Sequence, residues 1–378
     1  MAEGDVTITL YANWKPITYT VAFDKNDENA TGEMNEQTFT YDEAQKLTTN
    51  TFENDGYVFT GWNTKADGSG TFYIDEQEVL NIITTSKTIN LYAIWAPSKY
   101  ILEKGSNFNA RIEDDNITQI IFTDIVAPSG TELKNVANDG SDSIVTWVDG
   151  ITMYVSSQVA GQKIYANPDS SYLLSCYTYS RNEIINKIDV GNLDTSLVTN
   201  MSHMFANNFN LYEIIGLEGF KTNKVTDMSY MFEEDNILRN IDVSKFDTSN
   251  VTDMSYMFSG LCDEITSLDL TNFDTSNVTD MSYMFSYMRS LEELDISSFD
   301  TSKVLYMANL FIDNESLTTI YVSDGFVTTN ITDNGDDMFL NCSSLEGENG
   351  TTYSETNKDI EYAHVDGGTS NPGYFTRK

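Results

Sequence analysis

The chain has 378 residues, 40% of them hydrophobic and 12% aromatic, which is enough for two or three domains with hydrophobic cores. Its 58 acidic residues against 21 basic residues give a formal net charge of -37, yet the aromatic content distinguishes it from a disordered acidic segment. This charge excludes nucleic acid and an anionic membrane surface as expected partners, because negative charges repel one another.

The first 16 residues end in a sequence that returns later in the chain. Residues 7–14 are T-I-T-L-Y-A-N-W, and residues 88–95 are T-I-N-L-Y-A-I-W. We therefore predict that residues 1–16 are the remnant last strand of a preceding module and that the chain is a fragment of a longer protein. Residues 1–4 show no feature of a signal peptide, so the secretion signal and the surface anchor are expected elsewhere.

Residues 17–97 are predicted to form one small module of strands. The segment 18–23, T-Y-T-V-A-F, alternates apolar and polar positions, as expected for a half-buried strand. Glycines bound a second strand at 56–62, a glycine-rich turn and a short strand follow, and residues 91–95 alternate again. Between the first two strands, residues 42–47 could form one short helix.

The sequences Y-T-V-A-F-D, G-Y-V-F-T-G-W-N and L-Y-A-I-W in this module resemble the Listeria–Bacteroides repeat, also called the internalin B-type repeat. The resemblance covers essentially all of residues 17–97. It implies a β-grasp-like fold that occurs in tandem arrays on secreted or wall-attached bacterial surface proteins. The chain departs from the family at 25–28, where K-N-D-E replaces the glycine pair that commonly follows the first strand, so that turn is expected to differ.

Residues 98–175 are predicted to form a β-rich cap at the N-terminal end of a repeat array. Apolar segments at 117–122 and 144–148 indicate strands, and an Asp-Gly turn leads from the second into a further strand at 151–155. Because the first unit of a solenoid would otherwise expose an apolar end, we expect this segment to cover it.

Residues 176–345 contain a repeated phrase with a period of 26 to 28 residues. N-V-T-D-M-S-Y-M-F occurs unchanged at 250–258 and 277–285, and looser copies precede and follow it. A fixed period of this size predicts a solenoid whose units bury their apolar faces on one another, with residues 346–378 as its C-terminal cap. The phenylalanines that end the copies are Phe205, Phe232, Phe258, Phe285, Phe311 and Phe339.

Each repeat is predicted to combine a short strand with a short helix. The triplet L-D-L at 268–270 points two leucines inward and Asp269 outward, and an aromatic residue, Phe273, follows it into the core. Four apolar residues at i, i+3, i+6 and i+7 then predict one face of a short helix. These residues are Val278, Met281, Met284 and Phe285.

The Asn-x-x-Asp pattern of the phrase fits the start of that helix. Asn277 would cap it, and Asp280 would lie in its first turn, where a carboxylate interacts favourably with the helix dipole. The sequence N-V-T is also an N-glycosylation sequon, but the capping role explains its repetition without a sugar.

The pattern L-x-x-L-D-L-x-x-F-D-T-S-x-V-T-D-M-S-Y-M-F resembles the BspA-like leucine-rich-repeat surface proteins. The resemblance covers roughly residues 100–378, including the ending G-G-T-S-N-P-G-Y-F. It implies a leucine-rich-repeat solenoid on bacterial surfaces, often linked to adhesion to host proteins or other cells, and it supplies no catalytic residues. The second repeat departs from the pattern with G-F-K-T at 219–222, where a local bulge or a changed exposed surface is expected.

The arrangement of chemically reactive residues does not indicate catalysis. His203 and His364 have no serine or cysteine motif beside them, and no cluster has the spacing of metal ligands. Cys176, Cys262 and Cys342 are odd in number and far apart, so they indicate no disulfide framework and are expected to be buried. No run of 18 apolar residues indicates membrane insertion. We therefore predict a protein that is not an enzyme.

Two columns of repeated surface residues form the candidate binding surface. The first is acidic and should stack on the strand face, where it could bind calcium weakly, contact a basic partner or simply be solvated. Its members are Asp189, Asp242, Asp269 and Asp295. The second column either serves in recognition or packs over the gaps between repeats. Its members are Tyr230, Tyr256 and Tyr283.

Together these patterns predict an α+β chain: a β-grasp-like module, then a leucine-rich-repeat solenoid of short parallel strands and short helices with β-rich caps. The preferred hypothesis is an extracellular adhesin or binding module of the bacterial cell surface that uses the exposed face of the repeats. Its partner would be a host or neighbouring-cell surface protein or glycan, and the fragment would be a monomer without a cofactor. The alternatives are a structural stalk or spacer of a larger surface protein, and the accessory region of a secreted enzyme.

Overall fold

The structure is a computed structural model that describes residues 17–85, 87–97, 99–112, 116–176, 184–261, 264–333 and 335–378. Two compact units divide the chain, Met1–Pro97 and Ser98–Lys378. Strands and turns dominate the described residues, so the helical part of the α+β prediction is wrong. The predicted strand at 7–14 lies outside the described residues. The helical segments are α1 (Gly105–Asn109) and the 3-10 helices Leu217–Gly219, Ile360–Tyr362 and Gly368–Ser370.

The first unit contains one five-stranded sheet and one two-stranded sheet. Its strands are β1 (Thr18–Asp24), β2 (Gln37–Thr40), β3 (Gln45–Lys46), β4 (Tyr57–Asn63), β5 (Phe72–Tyr73), β6 (Glu78–Val79) and β7 (Thr88–Pro97). The large sheet has the order β2-β1-β7-β4-β5, in which β1 and β7 are parallel and the other pairs are antiparallel. The short helix predicted at 42–47 is wrong, because Asp42 has a left-handed φ of 64° and β3 pairs with β6 instead.

The core of the first unit is built around Trp62, which is fully buried. Its ring lies 4.8 Å from that of Phe23 and 4.9 Å from that of Phe59, measured between centroids. A β-bulge precedes it at Gly61, where φ is 142° and an added Cβ would lie 2.6 Å from the carbonyl oxygen of Tyr73. The Gly-Trp pair therefore follows from sterics: only glycine fits the bulge that turns the indole into the core.

The second unit begins with a six-stranded sheet that continues into the first repeats. The strands of this unit are β8 (Gln119–Thr123), β9 (Lys134–Asn135), β10 (Val145–Asp149), β11 (Thr152–Ser156), β12 (Ile164–Tyr165), β13 (Lys187–Asp189), β14 (Leu193–Asp194), β15 (Glu213–Ile215), β16 (Glu293–Asp295), β17 (Thr319–Val322) and β18 (Phe375–Arg377). The order of the six-stranded sheet is β15-β13-β8-β11-β10-β9, and the predicted hairpin through Asp149 and Gly150 joins β10 to β11. β8 pairs in parallel with both β11 and β13, so one sheet contains strands of the cap and of the repeats.

The predicted apolar-Asp-apolar strands are present in part. The triplets around Asp189 and Asp295 belong to β13 and β16, whereas those around Asp242 and Asp269 form no regular strand. The predicted alternation nevertheless holds there, since Ile241 and Val243 are buried and Asp242 is exposed. At these two triplets the predicted burial of the side chains is therefore confirmed, whereas the predicted regular strand is wrong.

Successive repeats, which we call coils, are joined by a column of buried threonines from the D-T-S sequence. Thr248 donates its hydroxyl proton to the carbonyl oxygen of Asp274 at 2.9 Å and accepts the N–H of the same residue at 2.8 Å. In the divergent second repeat, Thr195 bonds Lys221 in the same way, so the departure at 219–222 keeps this pairing. The equivalent residues in the other coils are Thr222, Thr275 and Thr301.

The helix predicted at the Met-Ser-Tyr-Met-Phe segment is wrong. Alternate amides donate to the next coil, as from Tyr256 to the carbonyl of Ser282 at 2.9 Å and from Phe258 to that of Met284 at 3.0 Å. Amides between them close local turns, as from Ser259 to Tyr256 at 3.1 Å. An α-helix would instead require every amide to bond four residues back within the same segment.

The predicted inward face of that segment is confirmed despite the different backbone. Its Val, Met, Met and Phe positions are fully buried, and one hydrophobic core extends from Leu102 to Phe375. The phenylalanines that end the copies stack with ring centroids 5.6 to 6.1 Å apart. A turn with two left-handed residues four positions apart buries the same i, i+3, i+6 and i+7 side chains that a helix would.

The C-terminal end of the second unit is organised around a buried carboxylate, Asp366. It accepts the backbone N–H groups of Asn349, Thr351 and Gly368 at 2.8 to 3.0 Å. Burial alone would raise the pKa of Asp366, but these hydrogen bonds and the Thr351 hydroxyl hold it at about 2. Beside this segment, β18 pairs in parallel with β17 and completes a three-stranded sheet with β16.

Candidate binding surface of the repeats

Five aromatic residues from successive coils stack into one column, which we call the tyrosine ladder. Neighbouring ring centroids lie 4.3 to 4.4 Å apart, and adjacent ring planes differ by 8° to 18°. The ladder contains the three tyrosines that the sequence proposes as binding residues, together with a histidine and one further tyrosine. Its members are Tyr172, His203, Tyr230, Tyr256 and Tyr283.

Every ladder residue has a left-handed backbone. The φ angle is 56° at His203, 59° at Tyr230 and 58° at Tyr256, a region that costs a side chain other than glycine about 1–2 kcal/mol. Each stacked ring pair contributes about 0.5–1.5 kcal/mol beyond its buried area, so the stacking offsets this local strain. Stacking and the inter-coil hydrogen bonds together hold the rings in fixed positions.

The ladder presents ring edges and hydroxyl groups, because the ring faces cover one another. Tyr230 and Tyr256 have neighbours on both faces, and Tyr283 is stacked on one face. None of these three hydroxyls donates to a carbonyl or carboxylate group of the described residues. Burial, together with neighbouring carboxylates, raises the pKa of Tyr230, and burial with its ladder neighbours raises the pKa of Tyr256. Both are therefore neutral hydrogen-bond donors at neutral pH.

A row of half-buried carboxylates lies in the same coils, and we call Asp227, Asp253 and Asp280 the ladder-side carboxylates. Parallel β-bridges join each to the next. Each accepts the backbone N–H of the residue two positions on, at 2.8 to 3.0 Å. Burial raises the pKa of all three, with a further contribution in each case from a nearby aspartate. Among the described residues, none of these three carboxylates forms an ion pair with a lysine, arginine or histidine side chain.

The predicted acidic column, Asp189, Asp242, Asp269 and Asp295, has a different environment. We call these residues the strand-side carboxylates. Hydrogen bonds from Ser244 lower the pKa of Asp242, and hydrogen bonds from Thr271 lower that of Asp269. Burial would raise the pKa of Asp295, but Lys378 and Ser297 lower it. Among the described residues, no group of three His, Cys, Asp or Glu side chains is arranged to hold a metal ion.

The two histidines have separate environments. His203 lies inside the ladder between Tyr172 and Tyr230, and burial lowers its pKa to about 4, so it is neutral at physiological pH. His364 lies in the C-terminal segment, with Nδ1 at 2.9 Å from the carbonyl oxygen of Val365. Cys342 is buried and donates to the carbonyl oxygen of Phe311 at 3.0 Å.

A fully buried acid, Asp235, is a further feature that the sequence reasoning missed. One of its oxygens accepts the N–H of Asn208 at 2.9 Å, while burial and then the nearby Glu233 and Glu234 raise its pKa well above the ordinary value. A signal for this residue was present in the sequence. The equivalent position in the next coil is the apolar Leu261, which indicates that Asp235 occupies a core position.

The sequence reasoning also missed the ladder-side carboxylates and the first ladder residue. It assigns Asp253 and Asp280 to helix starts, although their repetition beside the tyrosine at a fixed period could have revealed the row. Tyr172 precedes the regular phrase and lies in the segment interpreted as a cap, so the repeat pattern alone does not identify it.

Two known families match the chain. The family described as "Mycoplasma protein of unknown function, DUF285" matches residues 175–268 and 259–366, which together are about half of the chain. The Listeria-Bacteroides repeat domain matches residues 19–94, which confirms the resemblance proposed for the first unit. The resemblance to BspA-like leucine-rich repeats stays a prediction. No solved structure matches the chain.

Two curated proteins of Evansella cellulosilytica are similar over short segments. One, named "Putative Gly-rich membrane protein", is 36% identical over 107 residues, which are 28% of this chain and 12% of the relative. The other, named "Putative membrane protein", is 37% identical over 99 residues, which are 25% of this chain and 14% of the relative. The matched segments thus span about an eighth of each relative. In the described part of the chain, no helix has the length and apolarity to cross a membrane.

Proposed function

The chain belongs to the family described as "Mycoplasma protein of unknown function, DUF285", and from this premise we propose that it is a binding module of a bacterial cell-surface protein, not an enzyme. Three observations support the surface location. The first unit matches the Listeria-Bacteroides repeat domain, the relatives are named as membrane proteins, and the net charge of -37 suits a solvated exterior.

The tyrosine ladder is the observation that carries the binding role. Rings spaced at 4.3 to 4.4 Å are held by stacking and by backbone bonds between coils. Within the described part of the chain, the hydroxyls of Tyr230, Tyr256 and Tyr283 donate to no carbonyl or carboxylate oxygen. Fixed aromatic side chains with a polar tip lose little conformational entropy on binding, which favours them in recognition surfaces. An adhesin would use this row to contact a protein or glycan of a host or neighbouring cell.

We further propose that the coils form a leucine-rich-repeat solenoid of the BspA-like type. The fixed period, the shared core and the hydrogen bonds from each coil to the next support this assignment. A solenoid adds weak contacts over several coils, so a partner that spans the ladder would gain affinity from each repeat.

A binding panel tests the function. The chain is immobilised and exposed to extracellular host proteins, bacterial surface proteins and a glycan array, with the triple variant Tyr230→Ala/Tyr256→Ala/Tyr283→Ala as the comparison. We expect at least one partner whose binding falls by about tenfold or more in the variant, since recognition surfaces concentrate energy in a few aromatic side chains. Unchanged binding by a variant whose circular dichroism is native would contradict a role for the ladder.

One further role has support in the structure. The uninterrupted core from Leu102 to Phe375 would suit a stiff stalk that carries another domain of a longer protein. A stalk predicts no specific partner for this segment and loss of surface display, without loss of affinity, when coils are deleted. A hydrolase domain in the complete gene would instead support the accessory-region hypothesis.

A further inference from the structure

We propose that the tyrosine ladder binds an extended cationic polypeptide, a segment rich in lysine and arginine, with the phenol oxygens and the ladder-side carboxylates as its hydrogen-bonding partners. This inference rests on the proposed binding function and names the chemistry of its partner.

The stacked geometry restricts what the ladder can recognise. Tyr230 and Tyr256 have both ring faces covered by neighbours at 4.3 to 4.4 Å, so a sugar ring or an aromatic side chain cannot stack on either of them. A cation cannot reach the centre of those faces for the same reason. Recognition must therefore act at the ring edges, through the hydroxyl groups and the polar atoms beside them.

The polar groups beside the ladder are mainly acceptors. The ladder-side carboxylates provide only acceptor oxygens when ionised, and the phenols of Tyr230, Tyr256 and Tyr283, which can each donate one hydrogen bond, also accept through the same oxygen. Each ladder-side carboxylate precedes a ladder tyrosine by three residues, and both rows are joined from coil to coil by backbone pairing, so the two rows run side by side. A complementary partner must present many donors, and lysine and arginine side chains present donors together with positive charge.

The desolvation of the row distinguishes it from the general negative charge of the protein. Half-burial raises the pKa of Asp227, Asp253 and Asp280, and no cation of the described residues forms an ion pair with them. Charge-assisted hydrogen bonds are stronger at such partly dehydrated groups than at fully hydrated ones. A cationic ligand would stabilise the ionised form of these half-buried carboxylates. The exposed carboxylates of the protein gain less from such a ligand, because water already stabilises their charge.

The spacing of the ladder favours long basic side chains. Side chains on one face of an extended strand recur at about 6.6 Å, which does not match the ring spacing of 4.4 Å. Lysine and arginine can adjust to this difference because their aliphatic parts are long and flexible. The planar fork of arginine can also donate to two oxygens at once, so arginine should bind more tightly than lysine.

The test measures binding of fluorescein-labelled octa-arginine and octa-lysine to the whole chain at physiological salt. The first variant, Tyr230→Phe/Tyr256→Phe/Tyr283→Phe, keeps the rings and removes the hydroxyls. The second, Asp227→Asn/Asp253→Asn/Asp280→Asn, removes three charges in a column where Asn200 already makes the same turn hydrogen bond at 2.8 Å. That natural asparagine is the reason to expect folded variants.

A matched control removes three charges from another column of the same coils. Asp247, Asp274 and Asp300 also accept the N–H of a serine two positions on, at 2.9 to 3.1 Å. We expect both ladder variants to bind octa-arginine about tenfold more weakly or worse, because each variant loses three hydrogen bonds to the ligand. The control Asp247→Asn/Asp274→Asn/Asp300→Asn should change binding by less than about twofold, since Asp247 and Asp274 are exposed and Asp300 is partly exposed.

The possible results separate this inference from the proposed function. Equal losses in the control and in the ladder-side variant, or full binding by the phenylalanine variant, would show that only the overall charge attracts the peptide. Failure of both peptides to bind, combined with ladder-dependent binding of a neutral glycan or an acidic protein, would overturn the cationic partner and leave the binding function intact. The absence of any partner, basic or neutral, would overturn both.

Discussion

The ladder-side and strand-side carboxylates make the same local turn, yet the pKa of a ladder-side residue such as Asp253 and that of a strand-side residue such as Asp269 are shifted in opposite directions. Asp253 and Asp269 each accept the N–H of the residue two positions on, at 2.9 and 3.2 Å. Burial nevertheless raises the pKa of Asp253, whereas the hydrogen bonds lower that of the exposed Asp269. The comparison shows that the direction of the pKa shift depends on how much solvent surrounds the carboxylate, because the hydrogen bond of the turn is the same in both places.

The C-terminal Asp366 shows that several hydrogen bonds to one carboxylate can outweigh the effect of burial on its pKa. It is more buried than either row, but several donors converge on it and lower its pKa to about 2. Desolvation therefore dominates at the ladder-side row because each carboxylate there has few donors. These carboxylates are the ones that an external donor could stabilise.

The largest expected effect follows removal of the charge at Asp366. Asp366→Ala should lower the free energy of unfolding by about 3 kcal/mol, since several donors lose a charged acceptor. The folded pKa lies below the unfolded value of 3.8, so the stabilisation is complete above pH 4 and is lost as the pH falls towards 2. Urea denaturation between pH 2 and 7 measures this, with exposed Asp324→Ala as the control. A loss equal to that of the control would contradict this assignment.

The buried Asp235 should give the next largest effect, with the opposite sign. Its folded pKa is raised, so stability falls as the pH rises above the unfolded value of 3.8. Asp235→Asn keeps the acceptor for Asn208 and should stabilise the protein at pH 8 by about 2 kcal/mol, the usual cost of a buried group without full pairing. Thermal unfolding at pH 4 and pH 8 tests this. A variant that is less stable than the wild type at pH 8 would rule out a burial cost.

The third prediction concerns His203 and asks whether its position inside the ladder disfavours protonation of the imidazole. Its folded pKa of about 4 lies below the unfolded value of 6.5, so stability is complete above pH 6.5 and falls as the pH drops towards 4. His203→Tyr, which places the residue of the other coils in this column, should remove about 1 kcal/mol of that pH dependence, after allowance for partial solvation. Nuclear magnetic resonance titration of the His203 ring gives the pKa directly. A midpoint near 6.5 would show that the stack does not desolvate it.

The smallest expected effect is the change in stability when charges are removed from the ladder-side row or from the strand-side row. Removal of the ladder-side charges by Asp227→Asn/Asp253→Asn/Asp280→Asn should raise stability at pH 7 by somewhat less than about 1 kcal/mol, because ionisation of these residues is unfavourable in the folded state. Asp242→Asn/Asp269→Asn should instead lower it slightly, because the folded pKa values of this pair are depressed. Changes of the same sign in both variants would mean that net charge, rather than local burial, controls the rows.

The core of the repeats could be predicted because its signal is local. The positions of Met281, Met284 and Phe285 recur at a fixed period. Both a short helix and the turn that is observed would place these three side chains on the same buried face. The outward position of Asp242 and Asp269 followed from strict alternation for the same reason. The hairpin at Asp149 and Gly150 was likewise specified by two adjacent residues.

The amino-acid sequence by itself determined the period of the coils, the side chains that face the core and the family resemblance of the first unit. The tertiary structure alone decided that Tyr256 closes a turn rather than a helix, because the carbonyl that its amide reaches belongs to the next coil. It also decided the stacking of the rings and the opposite pKa shifts of Asp253 and Asp269. These properties depend on residues about one repeat away in the chain, so each becomes defined only when neighbouring coils are packed together.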